Sequence, residues 1–346
     1  MLTTRVAQAF DLEPGYLDTP SYGRPSRASA QALHRAVDDW ASGSLCPTDL
    51  EPAVARIRAS YGRIVGAAAS DVTLSGSVSQ MVGMVAASLP AGATVLVAQG
   101  DFTSVIWPFA TDSRLTVRAV PLEALVDEVR PGVDLVAVSG AQSRDGRVAD
   151  LDALASAARD AGARTLIDMS QAAPWLPIDA SRFDVVVAGG YKWLTTPRGL
   201  AFAAVRPGAD WLRPVCASWY GADVPWDHLY GDAPALSASA RRLDTSPPWQ
   251  LLEAAAVALE LHASYDPRAA HRHCVGLADE LRAALGMAPA GSAIVSVAAD
   301  AAGLQASGVR AAQRGGRVRV GFHVYNDERD LALAVDALRP ALVSAA

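Results

Sequence analysis

Two amphipathic helical patterns open the chain, over residues 27–42 and 50–66. In the second, Val54, Ile57, Tyr61 and Ile64 recur at spacings of three and four, which sets them on one helix face. From residue 72 the texture changes to short β-branched apolar runs at 72–75, 94–98, 115–120, 134–139, 164–169, 184–189 and 200–205. Helical stretches such as 78–88 and 151–161 separate several of them. The runs are continuously apolar rather than alternating, so each strand is expected to be buried on both faces. That predicts an α/β fold with a mostly parallel seven-stranded sheet covered by helices.

Residues 206–250 are rich in Pro, Trp, Tyr and Asp and show little periodicity, the texture of a long functional or interface loop. Beyond it, helical patterns at 249–264 and 270–286 lead to a strand (293–298), a helix (301–312), a strand (317–323) and a last helix (327–343). The expected division is a large domain over 15–245 and a smaller C-terminal α/β domain over 246–346, which residues 1–14 join.

Composition works by exclusion. The chain has 346 residues, 51% of them hydrophobic, enough for a sizeable core. A net charge of −6 is a poor match for nucleic acid or an anionic membrane, so neither is an expected partner. No apolar run reaches the roughly 18 residues of a membrane span. Asp11 and Glu13 in the first turns are unlike a secretory signal. Cys46, Cys216 and Cys274 are scattered, and His271-x-His273 lacks zinc-ligand spacing. The expectation is a cytoplasmic protein with no disulfide framework and no metal.

One count changes the picture. Of the 30 basic residues, 29 are Arg and one is Lys, Lys192. Arg replaces Lys on a solvated surface, but guanidinium stays protonated and cannot supply a nucleophilic amine. Lys192 follows the apolar run DVVVAGG, at a strand end, where open α/β sheets place their ligands. Gly189 and Gly190 would let the backbone approach a ligand, and Trp193 and Leu194 would desolvate the amine and lower its pKa. Asp168 ends the preceding apolar run, with Gln171 three residues on. A carboxylate there could pair with a pyridinium nitrogen, though a lone Asp at a strand end is more often a helix cap or turn residue. Gly76-Ser77-Val78 lies between a short strand and a helix, a ready phosphate site of common composition.

With these residues the chain resembles the class V aminotransferase family of fold-type I pyridoxal phosphate (PLP) enzymes, which includes kynureninases, cysteine desulfurases, isopenicillin N epimerases and ergothioneine C–S lyases. The resemblance runs over about 15–345. It implies that Lys192 forms the internal aldimine, that Asp168 pairs with the ring nitrogen and that Gln171 contacts the ring hydroxyl. It implies that Ser77 and the backbone at Val78 hold the phosphate with Tyr191, and that Phe102 stacks on the cofactor. The segment RVRVGFHVYN is similar to the family's R-x-x-x-x-x-Y-N motif, which makes Arg319 the clamp for a substrate α-carboxylate. Arg241 to Pro248 and Trp219-Tyr220-Gly221 resemble segments that serve a neighbouring subunit's site. That implies a homodimer with shared active sites, to which Ser246 and Trp219 contribute, although aromatics in a Pro-rich loop also suit plain interface packing.

The resemblance implies an amino-acid substrate and a Cα carbanion, and the chain's departures narrow the fate of that carbanion. Residues 287–318 contain no Cys to serve as a persulfide carrier, and Val138-Ser139-Gly140-Ala141-Gln142 replaces the desulfurase Asn, with Ser139 or Gln142 as substitutes. The run from Lys192 to Gly199, K-W-L-x-x-P-R-G, is similar to the ergothioneine lyases. The expected reaction is β-elimination from a cysteine-derived amino acid, a C–S lyase. The alternatives are transamination or epimerisation on the same fold. A PLP-fold binding protein without catalysis is disfavoured, since the lysine, aspartate and arginine are all present.

Overall fold

A computed structural model describes residues 6, 8–300, 304 and 307–342. The seven apolar runs form β1 (Val72–Ser75), β2 (Thr94–Ala98), β3 (Thr116–Val120), β4 (Leu135–Ser139), β5 (Arg164–Asp168), β6 (Val185–Gly189) and β7 (Ala201–Val205). They make one sheet in the order β1-β7-β6-β5-β4-β2-β3. Only β7 opposes the rest: it pairs antiparallel with β1 and β6, and the other pairs are parallel. Alternate residues of each strand feed opposite faces. Leu96, Val136, Ile167 and Phe202 belong to the core that takes in α2 (Glu51–Val65), and Val95, Val97, Leu135 and Val187 to the core on the other face, with α3 (Val78–Ser88) and α4 (Thr103–Ala110). Ile57 and Tyr61, expected on one helix face, are fully buried, each contributing about 1.5–3 kcal/mol of apolar transfer. Edge strand β3 departs from two-faced burial and is largely exposed, because it has one neighbour and no second covering layer.

α1 (Arg27–Ser42) and α5 (Leu151–Ala161) complete the first half, and α6 (Leu252–Ala263) lies across α1 and α2. A second, three-stranded sheet in the order β8-β10-β9 contains β8 (Ile294–Val297), β9 (Ala312–Arg314) and β10 (Arg317–Gly321). It packs with Leu17, α7 (Pro267–Ala284) and α8 (Glu328–Leu338) into its own core. The helix expected over 301–312 falls partly outside the described residues. Ala312–Arg314, where it would end, is a strand paired with β10 across a two-residue Gly315-Gly316 turn. Segment 206–250 holds no α-helix or long strand, only short 3₁₀ turns. Among the described residues no helix is long and apolar enough to cross a membrane.

Six strands run the same way and end at one edge of the large sheet, at Ser75, Ala98, Val120, Ser139, Asp168 and Gly189. That edge positions the site.

Candidate active site

A pocket of about 320 Å³ lies at this edge, lined among others by Ser77, Val78, Phe102, Asp168, Tyr191 and Lys192. Six of the residues singled out in the sequence are thus brought together. At one end, Ser77 caps α3, its Oγ accepting from Gln80 N at 3.3 Å. The N–H groups of Val78 and Ser79, in the first turn, have no intrahelical acceptor and line the pocket. Ser79 Oγ also bonds Ser104 Oγ at 2.9 Å, drawing in the N-terminus of α4, whose Thr103 and Ser104 share the wall. Two helix N-termini therefore converge, a field that favours an anion. No local pattern marks the second of them, since α4 (TSVIWPFA) is apolar all round and contains Pro108.

Asp168 and Lys192 are buried in the same pocket. Asp168 Oδ1 accepts from Ser170 N at 2.8 Å. Burial pushes its carboxyl up, against the pull of Ser170 and Lys192. Burial lowers the Lys192 amine to about 8; Asp168 opposes the shift, and Arg319, Arg314 and Arg198 add to it. Lys192 Nζ stands 4.9 Å from the Phe102 ring centre and 5.7 Å from that of Tyr191. These rings, rather than Trp193, flank the amine. Trp193 points away, its Nε1 donating to Gln171 Oε1 at 2.8 Å and its ring packed against Trp175 and His323. Phe102 is held by Asp101, whose Oδ1 accepts from Phe102 N and Ser139 Oγ, each at 2.6 Å. Ser139 is thereby committed to Asp101, and Gln142 lies buried behind it.

The turn that carries Lys192 is gripped from behind. His323 Nε2 bonds the Trp193 carbonyl at 2.9 Å, and His262 Nε2 bonds Thr195 Oγ1 at 2.9 Å. Thr195 has a φ of 52°, a left-handed conformation that costs a β-branched residue about 1–2 kcal/mol and persists because its surroundings fix it. Burial keeps both imidazoles neutral, His323 down to about 3. Of the two glycines before the lysine, Gly190 is needed for packing rather than for a ligand: a Cβ there would stand 2.2 Å from Thr196 Oγ1.

Segment 18–24, which no local pattern marks, closes over this turn. Gly23 N donates to the Tyr191 carbonyl at 2.9 Å, and a Cβ on Gly23 would stand 1.8 Å from the Lys192 carbonyl oxygen. Gly23→Ala should therefore displace the lysine turn by an ångström or so. The expected result is a fall in activity of about 10²-fold with the fold intact, measured by steady-state kinetics beside an unfolding curve.

The remaining predicted residues lie elsewhere. Gln171 does not line the pocket; its amide donates to the Pro20 carbonyl (2.8 Å) and Ser143 Oγ (3.0 Å) and accepts from Trp193, so all of it is spent on the protein. Arg319 is buried and hydrogen-bonded to Ser143 and Ser21, with its Nε unpartnered. Trp219 packs with Tyr220 and Trp226 in the 206–250 loop, and Ser246 is exposed; neither lines the pocket of its own chain.

The donor set fits PLP. Free N–H groups at two helix N-termini suit a phosphate, Asp168 suits a protonated ring nitrogen, and Phe102 offers a ring face beside the one side-chain amine. The amine's pKa carries a pH signature. Below about 8 it is protonated and inert, so capture of an aldehyde by the apo-protein should rise about tenfold per pH unit up to that point and level off above it. Stopped-flow absorbance reads this directly, and an ordinary surface amine would keep rising to about pH 10.

Comparison with known proteins agrees. Residues 50–224 match the family model for class V aminotransferases. The chain is 28% identical over 342 residues to an uncharacterized aminotransferase of Bacillus subtilis (strain 168), YcbU, covering 90% of this chain and 91% of that one. It is 28% identical over 294 residues to a kynureninase of Deinococcus radiodurans, covering 78% of this chain and 71% of that one. The fold is similar to that of a cystine C–S lyase, C-DES, with a TM-score of 0.83 at 16% identity, covering 96% of this chain and 98% of that one. The chain belongs to the class V aminotransferase family of PLP-dependent enzymes.

Proposed function

We propose that the protein removes the α-proton of a cysteine-derived amino acid and releases its sulfur substituent from Cβ, as a C–S lyase. The observation that carries the proton-removal part of this reading is the Lys192 amine buried in one pocket with Asp168. PLP, when bound, supplies an electron sink for negative charge at Cα. Lys192 Nζ is the base that takes the α-proton: a pKa near 8 leaves part of it unprotonated at neutral pH. Asp168 would hold positive charge at the ring nitrogen. Ser77, Val78 and Tyr191 would hold the phosphate, with Phe102 beside the ring. Arg319 would bind the α-carboxylate, giving up its Ser143 and Ser21 hydroxyl partners to do so.

Elimination is favoured over persulfide transfer because residues 287–318 offer no thiol and Cys274 is buried in the middle of α7. The likeness of Lys192 to Gly199 to the ergothioneine lyases supports the same choice. Transamination is the second reading, favoured by the match to an aminotransferase over 90% of this chain. A panel of S-substituted cysteines separates them. Elimination gives thiol, ammonia and pyruvate in equal amounts; transamination moves the amino group to an added 2-oxo acid with no thiol released, and that result would overturn the lyase reading. We read the 206–250 loop, with Val224 and Tyr230 exposed, as the surface through which a second copy supplies Trp219 and Ser246 to this pocket.

A further inference from the structure

Arg319 and Arg314 lie outside the lining of the Lys192 pocket but close enough to act on the Lys192 amine through space, more positive charge than one α-carboxylate needs. Arg319 Nη1 donates to Ser143 Oγ (3.1 Å), and its Nη2 donates to Ser21 Oγ (2.8 Å). Its Nε is buried without a partner, in a side chain only 1% exposed. Arg314, the last residue of β9, reaches the same hydroxyl: its Nη2 donates to Ser21 Oγ at 3.1 Å. Two guanidinium groups thus meet at one neutral oxygen. Arg144 lies beside the β9–β10 turn, its Nε 2.6 Å from where a Cβ on Gly315 would stand.

Among the described residues, none of Arg144, Arg314 and Arg319 comes within 4.0 Å of a carboxylate, whereas Arg56, Arg58 and Arg241 do. Asp18 acts on Arg319 only through space, without an ion pair. Burial lowers the Arg319 guanidinium to about 10, and Arg314 lowers it further than burial alone would. Guanidinium groups left unpaired by the protein's own carboxylates, beside a site for an amino acid, are placed to take an anion from outside.

We propose that the substrate carries a second anionic group at the end of its side chain, bound by Arg314 with help from Arg144, while Arg319 takes the α-carboxylate. This rests on the amino-acid reading above and narrows it to acidic side chains; for a C–S lyase, to cysteine thioethers ending in a carboxylate. Arg314 is exposed, shares Ser21 with Arg319 and stands outside the pocket lining, so the group is a specificity determinant rather than part of the proton-transfer machinery.

The test titrates PLP-loaded protein with S-carboxymethylcysteine and its amide, S-carbamoylmethylcysteine, which differ by one charge at nearly equal size. Glutamate and glutamine, which have no sulfur to lose, serve as a second pair. Binding is read from the cofactor's visible absorption and by calorimetry. Each acid should bind about tenfold or more tightly than its amide. Arg314→Gln should bring the ratio within about threefold, Arg314→Lys should restore part of it, and added salt should narrow the wild-type ratio. Arg144→Gln provides a second, smaller reduction. Equal affinity of acid and amide, or a ratio untouched by Arg314→Gln, overturns the proposal. Glutamate binding more tightly than glutamine while no thioether releases thiol would leave the charge proposal standing and sink elimination. Thiol release at equal KM from acid and amide would do the reverse.

Discussion

Lys192→Ala should give a folded protein that no longer retains PLP through gel filtration, lacks the yellow absorption band, and loses at least about 10⁴-fold in kcat/KM. The size of the effect follows from the sequence. Lys192 is the only lysine, and 29 arginines cannot offer an amine that gives up its proton near pH 8. Lys192→Arg should be as inactive, which separates amine chemistry from mere charge. The fold should survive both changes, because the turn is held by its backbone and neighbours, through Gly23, His323 and the Thr195–His262 pair. Absorption and an unfolding curve on the same sample check the two halves together. An Ala variant that kept colour and more than about 1% of its activity would contradict the assignment.

Asp244→Ala should destabilise the protein by about 3–5 kcal/mol. Asp244 is fully buried and pairs with Arg58, while Oδ1 accepts from Thr73 Oγ1 (2.7 Å) and Leu74 N (2.9 Å). It ties the end of the 206–250 loop to β1, the strand that leads into the Ser77 turn. Burial pushes its carboxyl up despite Arg58, so the pair is no large source of stability in itself. Breaking it is another matter, since Arg58 would be left buried and charged and two donors would lose their acceptor. Urea unfolding should show the midpoint fall sharply, and Arg58→Met combined with Asp244→Leu should recover part of the loss. A single-variant cost below about 1 kcal/mol would show that water reaches this pair.

Several parts of this architecture are legible in the chain because they depend on local pattern. Seven continuous apolar runs become the seven strands, and two of their ends carry Asp168 and Lys192. Ser77 is visible as the residue between a strand and a helix. Arg319 needs the Y-N motif beside it, because nothing local distinguishes it from 28 other arginines. The unmarked parts depend on contacts distant in sequence. Gly23 matters only because its backbone crosses the Lys192 carbonyl, and α4 is helical through packing on β3 and β4 rather than through periodicity. β9 hides in a segment too short and polar to register as a strand, so Arg314, its last residue, goes unnoticed. Trp193 misleads for a similar reason: adjacency to Lys192 suggests a shared pocket, yet successive side chains in the turn point apart.

Attachment of PLP to Lys192 is read by adding PLP, reducing with borohydride and mapping the labelled peptide by mass spectrometry. The α-amino group is the only other primary amine in the chain. The expected result is one pyridoxyl group per chain, on the peptide containing Tyr191-Lys192-Trp193 and lost in Lys192→Ala. Label confined to the N-terminal peptide, or no label at all, would contradict it.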